Sequence, residues 1–352
     1  MLTSELEFDL PPDRIAQSPS DRRDGSRLLV YDRSNESVSH HHFHELPDLL
    51  PSKLSILRND VSVLKARLSG KRPTGGAVEC LLLRPADPPE TVWRCLLKPG
   101  GKTAKAGTFG IDGEYQAQVL KSLPSGEYLL RFDLPKDKDA PSLAQRIGSL
   151  PLPPYVRRSA NTADEERYQT VYAKDANRTA VAAPTAGFHF TPELLDELES
   201  DGHSLYDLTL SVGLGTFRPI ETKRVEDHPM HAEEYFLSPT TKSVLRDSSN
   251  KKLAIGTTCV RAIEHYLGQE DPSPSEATRA EAQLFIRPPY QFLGINHLLT
   301  NFHLPGSTLL CLVAAFLTPG KPDGIAKLKG LYAEAISKEY RFFSYGDAML
   351  IL

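Results

Sequence analysis

Apolar residues follow two rhythms along this chain, and the change from one to the other marks its organisation. From Val61 to about Pro135 they fall in short alternating runs, VSVLKARL, AVECLLLR, TVWRCLLK, YQAQVLKSL and EYLLRFDL, separated by turns containing glycine and proline. Short strands at that spacing predict a small β-barrel. Met1–Asp60 instead mixes strands with a short helix. Pro141–Leu150 reads as another short helix, and the proline-rich LPLPPY from Leu150 returns the chain to an α/β region that continues to Leu352. The expected fold is α/β: a main domain formed by residues 1–60 and 151–352, with an all-β barrel domain, residues 61–150, inserted into it.

Five segments of the α/β region share one grammar, an apolar run that stops at glycine, threonine or asparagine. In the first, Val181–Thr191, a loop carrying Pro184, Gly187 and His189 meets a helix start: Thr191 as N-cap, Pro192 as first helical residue, Glu193 and Asp196 as acids in the first turn, with the helix ending near Ser200. In the second, Leu208–Thr216, a strand-like alternation ends in Gly213 and Gly215, which let a ligand approach the backbone closely. Leu253–Glu264 is a short strand, then Gly256-Thr257-Thr258, then a helix bearing Arg261 and Glu264. Leu298–Phe316 sets Asn301, His303 and Pro305 ahead of a helix capped by Ser307, and Tyr340–Leu352 puts Ser344, Tyr345 and Asp347 on a turn before a terminal strand. One strand–turn–helix is weak evidence for a site. Five of them, each with polar groups at the turn, predict a pocket beside the ends of a sheet.

These residues also carry a family likeness. APTAGFHFT, VGLGTF, DHPMHAEEY, IGTTCVRAIE, LLTNFHLPGSTLL and YRFFSYGDAMLI, with LPLPPYVRR, RYQTVYAKD and the N-terminal FDLPPDRIAQSPSDRRDGSRLLVYDR, closely resemble, in order and over the whole chain, the S-adenosylmethionine:tRNA ribosyltransferase-isomerase family of queuosine biosynthesis. The resemblance implies a small barrel inserted into a larger α/β domain. It also implies transfer and isomerisation of the ribosyl group of S-adenosylmethionine onto 7-aminomethyl-7-deazaguanine in a tRNA anticodon, giving epoxyqueuosine-tRNA, adenine and methionine. S-adenosylmethionine would then be a co-substrate, with no prosthetic group. In agreement, no GxGxxG turn follows an early strand, and Gly213-Leu214-Gly215 lacks the third glycine of a dinucleotide fingerprint.

That chemistry needs a base near the ribose 5′ carbon, which the sulfonium acidifies, and an acid for departure of adenine. His189, His303 and Asp347 are the candidates, each at a turn flanked by structure, and the residues do not say which is base and which acid. Thr185, Gly187, Gly213, Gly215, Thr216, Gly256, Thr257, Thr258, Arg261, Asn301 and Tyr345 are the candidate substrate contacts. Arg261 and the Gly256–Thr258 turn would meet the methionine carboxylate; Arg261 has the alternative of pairing with Glu264 or His265 on its own helix. Four positions depart from the family pattern: Ser211 where histidine is usual, Cys259 where serine is, Asn59-Asp60-Val61-Ser62 where the stretch normally ends in arginine, and Arg287-Pro288-Pro289 in place of Tyr-Pro-Gly. Loss of an arginine and a histidine leaves open a diverged tRNA-binding relative with altered or lost catalysis.

Composition changes this picture in two places. The net charge is −4, from 41 Lys and Arg against 45 Asp and Glu, so tRNA contact must rest on local basic patches, for which Arg22, Arg23, Arg27, Arg157 and Arg158 are the candidates beside the Lys65–Arg72 segment. The strongest apolar run, Leu309–Leu317, falls short of the roughly 20 residues that span a bilayer, and the acidic start MLTSELEFDLPPDR lacks a signal pattern. The expectation is a cytoplasmic protein with no membrane partner, and a monomer. His40-His41-His42-Phe43-His44 and the His228, His231, Glu233, Glu234 group have metal-ligand composition without convergent spacing, so no metal is expected. Cys80, Cys95, Cys259 and Cys311 are scattered, as for reduced buried thiols. Gly268–Ala277, GQEDPSPSEA, has the composition of a disordered loop.

Overall fold

A computed structural model describes residues 1–87, 91–175, 178–213 and 219–352. The chain opens with β1 (Arg27–Asp32) and β2 (Ser37–His42), then helix α1 (Leu46–Leu49) and β3 (Ser55–Asn59). The two-residue β4 (Ser62–Val63) leads to β5 (Arg67–Lys71), β6 (Ala77–Asp87), β7 (Val92–Lys98), helix α2 (Gly100–Ala106), β8 (Thr108–Ile111), β9 (Tyr115–Ser122) and β10 (Tyr128–Asp133). Helices α3 (Ala140–Ile147) and α4 (Thr162–Arg167), β11 (Arg178–Ala180), a single helical turn at Thr185–His189, α5 (Pro192–Ser200), β12 (Ser204–Leu210) and β13 (Glu233–Leu237) come next. The remainder is α6 (Pro239–Arg246), β14 (Lys252–Ile255), α7 (Thr257–Leu267), β15 (Thr278–Ala282), β16 (His297–Asn301), α8 (Thr308–Leu317), α9 (Gly324–Ser337) and β17 (Ala348–Ile351).

The fold is α/β with a closed barrel. Nine strands form one sheet in the order β15-β13-β12-β3-β14-β16-β17-β1-β2. Its centre, β12-β3-β14-β16, is parallel, and β17 then runs antiparallel to β16 and parallel to β1. Alternate residues face opposite helix layers: Leu57, Ala254, Leu298 and Met349 belong to one core with α7, α8 and α9, whereas Ile56, Leu253, Leu299 and Leu350 belong to another with α5. Both faces are covered, which is why these strands read as unbroken apolar runs. Helix α8 is buried on nearly every side, in keeping with its uniformly apolar TLLCLVAAFL.

The barrel closes in the order β10-β7-β6-β5-β8-β9. It holds six strands rather than the five runs seen in the sequence. The additional strand, β8, is a four-residue piece between Gly107 and Gly113, which both have positive φ. The run VSVLKARL is divided: β4 pairs with β11 outside the barrel, the Leu64 N–H donates to the Ala180 carbonyl at 3.0 Å, and only from Arg67 does the chain enter the barrel wall. A strand pattern alone does not show at which residue the partner changes.

Helix starts follow the predicted chemistry. The Thr191 hydroxyl accepts the Leu194 N–H at 3.2 Å ahead of Pro192, and the Ser307 hydroxyl accepts that of Leu310 at 3.2 Å. The segment Gly268–Ala277 corrects its expectation of disorder. The wholly buried Lys242 ammonium on α6 donates to the Ser273 and Glu276 carbonyls at 2.8 and 2.7 Å and lies 2.8 Å from the Asp271 carboxylate, to which the Tyr266 hydroxyl also donates. Composition reports how little a segment buries of itself; here the segment is fastened by a cation from another element. Among the described residues no group of three or more His, Cys, Asp or Glu is placed to hold a metal ion, and no helix is long and apolar enough to cross a membrane.

Lys242→Met removes the clamp while keeping the apolar stem. Limited proteolysis under native conditions should then cut within residues 268–277 about tenfold faster, because local opening costs less; an unchanged cleavage rate would show that the loop is held by other contacts.

Candidate active site

Because β3, β14 and β16 are parallel, their carboxyl ends, at Asn59, Ile255 and Asn301, open on one edge of the sheet, and the reversed β17 starts on that same edge. The crevice there encloses about 650 Å³, its open mouth included. Its polar wall is Tyr155, Thr185, Thr257, Thr258, Asn301 and His303, with Phe302 and Phe343 as the aromatic part. Among the described residues lining it there is no Asp, Glu, Lys or Arg.

Two helices point their amino ends into this cleft. Helix α7 begins after Gly256, whose φ of 89° only glycine adopts readily and which turns the chain from β14 directly into the helix. Gly256, Thr257 and Thr258 line the cleft, as do Ser307 and Leu309 at the start of α8. The first-turn N–H groups and the dipoles of these helices make this wall electropositive without an ionised side chain among its described residues. The Thr258 hydroxyl is buried and meets no oxygen or nitrogen partner among the described residues.

The loop Val181–Thr191 supplies Thr185 to the cleft but not His189. Thr185 donates its hydroxyl proton to Asn301 Oδ1 at 2.8 Å, and Asn301 Nδ2 is 3.3 Å from His189 Nε2. His189 lies behind Asn301, buried and stacked on Phe43 with ring centroids 4.9 Å apart. Burial, and then the positive charges of Arg341, Arg167 and Arg23, push its pKa down to about 3. Gly187 is a packing glycine: a Cβ there would lie 2.0 Å from the Tyr172 hydroxyl.

His303 does line the cleft. Its Nε2 is 2.9 Å from the Thr300 hydroxyl, its backbone N–H donates to the Tyr332 hydroxyl at 2.9 Å, and burial lowers its pKa to about 3. Asp347 sits under the cleft floor. Its carboxylate accepts the backbone N–H groups of Arg27 and Arg341 at 3.0 and 2.8 Å and lies 3.2 Å from the Arg341 guanidinium. With those bonds it holds the turn that delivers Phe343, at a φ of 73°, and Ser344 to the wall. Such a φ is strained for an aromatic residue and persists only where its surroundings fix it. Tyr345 faces away, donating to Asp164 Oδ1 at 2.6 Å.

Arg261 meets neither of its expected partners. It forms a buried ion pair with Glu233 at 2.6 Å and donates to the carbonyls of His231 and Ala282, both at 3.1 Å. Glu233 Oε1 also accepts the Gly213 N–H at 3.2 Å, so this pair anchors the start of the glycine loop rather than lining the cleft. Gly215 and Thr216 lie outside the described residues. The basic candidates separate in the same way. Arg23 and Arg27 spend their guanidinium groups on backbone carbonyls, and Arg158 is bidentate to the buried Asp164 at 2.6 and 2.8 Å. Arg22, which pairs with Asp24, and Arg157 remain exposed.

Sequence reasoning missed Tyr155, which hydrogen-bonds Ser344 across the cleft wall and packs on Phe343 at 4.7 Å. The LPLPPY segment signalled only a change of direction. It also missed Thr300, one residue inside the end of β16, and named Glu233, the first residue of β13, only within a group of metal-ligand composition; no local pattern there separates a functional side chain from a packed one.

The sequence matches the family described as queuosine biosynthesis protein over residues 3–351. A curated relative from Trichlorobacter lovleyi is 40% identical over 356 residues and one from Thermotoga maritima 42% identical over 356, each alignment covering 100% of both chains; both are named S-adenosylmethionine:tRNA ribosyltransferase-isomerase. The crystal structure of S-adenosylmethionine tRNA ribosyltransferase from Thermotoga maritima superposes with a TM-score of 0.55 at 32% identity, covering 99% of this chain and 100% of that one. An α/β chain with a closed barrel, whose turns converge on one cleft and whose whole length aligns with these proteins, belongs to the queuosine biosynthesis protein family and is an enzyme.

Proposed function

We propose that the cleft between the carboxyl ends of β14 and β16 binds S-adenosylmethionine. Its ribosyl group is transferred and isomerised there onto 7-aminomethyl-7-deazaguanine of a tRNA, yielding epoxyqueuosine-tRNA, adenine and methionine. The observation that carries this reading is the convergence of Thr185, Thr257, Thr258, Asn301 and His303 on one crevice beside the start of β17, with no ionised side chain among the described residues lining it. The aromatic wall of Phe343 and Tyr155 suits a flat purine, and the amino ends of α7 and α8 suit the methionine carboxylate and the negative charge that develops on departing adenine. His303 and Tyr155 are the side chains of the wall suited to move protons; burial keeps the first neutral and holds the second protonated. Arg261, Asp347 and Tyr345 act as supports in this reading, and S-adenosylmethionine is consumed as a co-substrate.

None of the four departures from the family pattern lines the cleft. Cys259 is wholly buried in the core, Ser62 is buried in β4, and Ser211 and the Pro288–Pro289 turn lie outside the wall. That favours retained catalysis over a tRNA-binding relative without turnover. Exposed Arg157, two residues beyond the cleft-lining Tyr155, and Arg22 are the proposed tRNA contacts. The barrel, residues 61–150, is taken as a separate inserted domain, and the protein as a cytoplasmic monomer.

Purified protein given S-adenosylmethionine should release one adenine per modified base only when tRNA carrying 7-aminomethyl-7-deazaguanine is present, with an epoxycyclopentanediol on the digested nucleoside by mass; tRNA binding without adenine would favour the non-catalytic relative. His303→Ala should lower kcat about 100-fold or more with little change in S-adenosylmethionine affinity, and a variant retaining a tenth of the rate would remove this residue from proton transfer. A base whose pKa is about 3 stays unprotonated through pH 5, so kcat should show no inflection from His303 between pH 5 and 8, whereas an ordinary imidazole would cost activity below about 6.5. Arg157→Glu should weaken tRNA binding, flatten its salt dependence and leave S-adenosylmethionine binding unchanged; equal tRNA affinity would place the RNA elsewhere.

A further inference from the structure

Asn301 is gripped at both ends by one turn. Thr185 and His189 are its first and last residues, and the amide at the end of β16 lies between them. Only Thr185 and Asn301 reach the cleft, so His189 touches nothing there directly. An amide can bind in two orientations, and which one holds depends on whether the imidazole offers a lone pair or a proton. With Asn301 Nδ2 toward the ring, His189 Nε2 is the acceptor and the ring proton is on Nδ1. Asn301 Oδ1 then faces Thr185 and takes its only hydroxyl proton, so what Thr185 turns to the cleft is lone pairs.

We propose that His189 is a positioning residue: it fixes the amide of Asn301, which in turn makes Thr185 a pure hydrogen-bond acceptor, and this corner of the cleft selects a hydroxyl donor of the ribosyl group. The proposal rests on the S-adenosylmethionine reading of the cleft. Stacking on Phe43 fixes the ring plane, and the burial and nearby guanidinium groups that keep the imidazole neutral also keep a second proton off Nε2, which would reverse the amide and with it the polarity of Thr185. The sequence puts His189 among the proton-transfer candidates because it lies at a turn flanked by structure. A residue that works through Asn301 leaves a different signature.

The test uses the full chain. In protein labelled at histidine nitrogens, the His189 ring should show an unprotonated Nε2 and a protonated Nδ1, unchanged from pH 8 to pH 5; a protonated Nε2 overturns the proposal without any variant. His189→Phe keeps a stacking ring and loses the acceptor, and should raise the Kd and KM for S-adenosylmethionine about tenfold with a smaller change in kcat. His189→Gln, which restores an acceptor, should recover to within about twofold. Thr185→Val should cost as much as His189→Phe, and the double variant no more than either, because both act on one hydrogen bond. An S-adenosylmethionine analogue lacking ribosyl hydroxyls should bind wild type and His189→Phe equally. If Thr185→Val weakens binding but His189→Phe does not, the positioning role falls and the cleft assignment stands. If neither Thr185→Val nor Asn301→Ala alters binding of S-adenosylmethionine that the wild type does bind, the cleft assignment itself falls.

Discussion

The antiparallel pairing of β16 with β17 is the constraint on which the site depends. In this pairing Asn301 lies opposite Ala348, and Leu298 opposite Ile351. The turn that leaves β16 and the turn that enters β17 are therefore brought side by side, although about forty residues and two helices separate them in sequence. Parallel neighbours β14 and β3 add their own carboxyl ends to the edge, and β1, parallel to β17, adds the backbone N–H of Arg27 that Asp347 accepts. Shifting β17 by one residue would exchange Met349 and Leu350 between the two cores and lift Phe343 and Ser344 from the wall. Placement of the cleft-lining turns is thus secured first by burial of the sheet.

A second regularity is the separation of charge from cavity. Ionised groups around the site are engaged with one another or with backbone: Arg158 with Asp164, Arg261 with Glu233, Asp347 with Arg341, Arg23 with three carbonyls. Each ties a different loop to the frame, and breaking any would leave a buried charge uncompensated, at a cost of several kcal/mol by general experience. The cleft keeps hydroxyls, an amide, neutral imidazole and helix amino ends. In such a wall, orientation of dipoles does what charges do elsewhere, and orientation is a property of the packing around them.

How much was legible in the sequence follows from this division of labour. The turns at Thr185, Gly256–Thr258 and Asn301–His303 were visible, because capping residues, a positive-φ glycine and an apolar run leave local marks. That they meet was a reasonable expectation from their number, but which side chain of each turn faces the cleft was not legible. His189 and Thr185 are four residues apart on one turn and lie on opposite sides of Asn301, and the ring on which His189 stacks, Phe43, comes from a distant part of the chain. Arg261 looked like an anion ligand because it follows the Gly256–Thr258 turn; its partner Glu233 lies on β13, and nothing in the spacing of either reveals the other. The barrel was read from alternation alone, yet its β8 was missed because four residues are too few to establish a period.

The absence of an anion from the described wall bears on the proposed chemistry. S-adenosylmethionine is a sulfonium cation, and a carboxylate beside the sulfur would bind the ground state most strongly and weaken as the positive charge is lost. Binding of that kind lowers KM without helping the chemical step. Helix amino ends act in the opposite sense, favouring arrangements in which the sulfonium has become a neutral thioether and negative charge has gathered on the leaving base. On the proposed reading, a wall uncharged in its described side chains and electropositive in its backbone stabilises the products of the reaction relative to its cationic substrate. On the proposed reading, that substrate is held by its carboxylate at the helix amino ends, by stacking on Phe343 and Tyr155 and by hydrogen bonds such as those of Thr185 and Thr258.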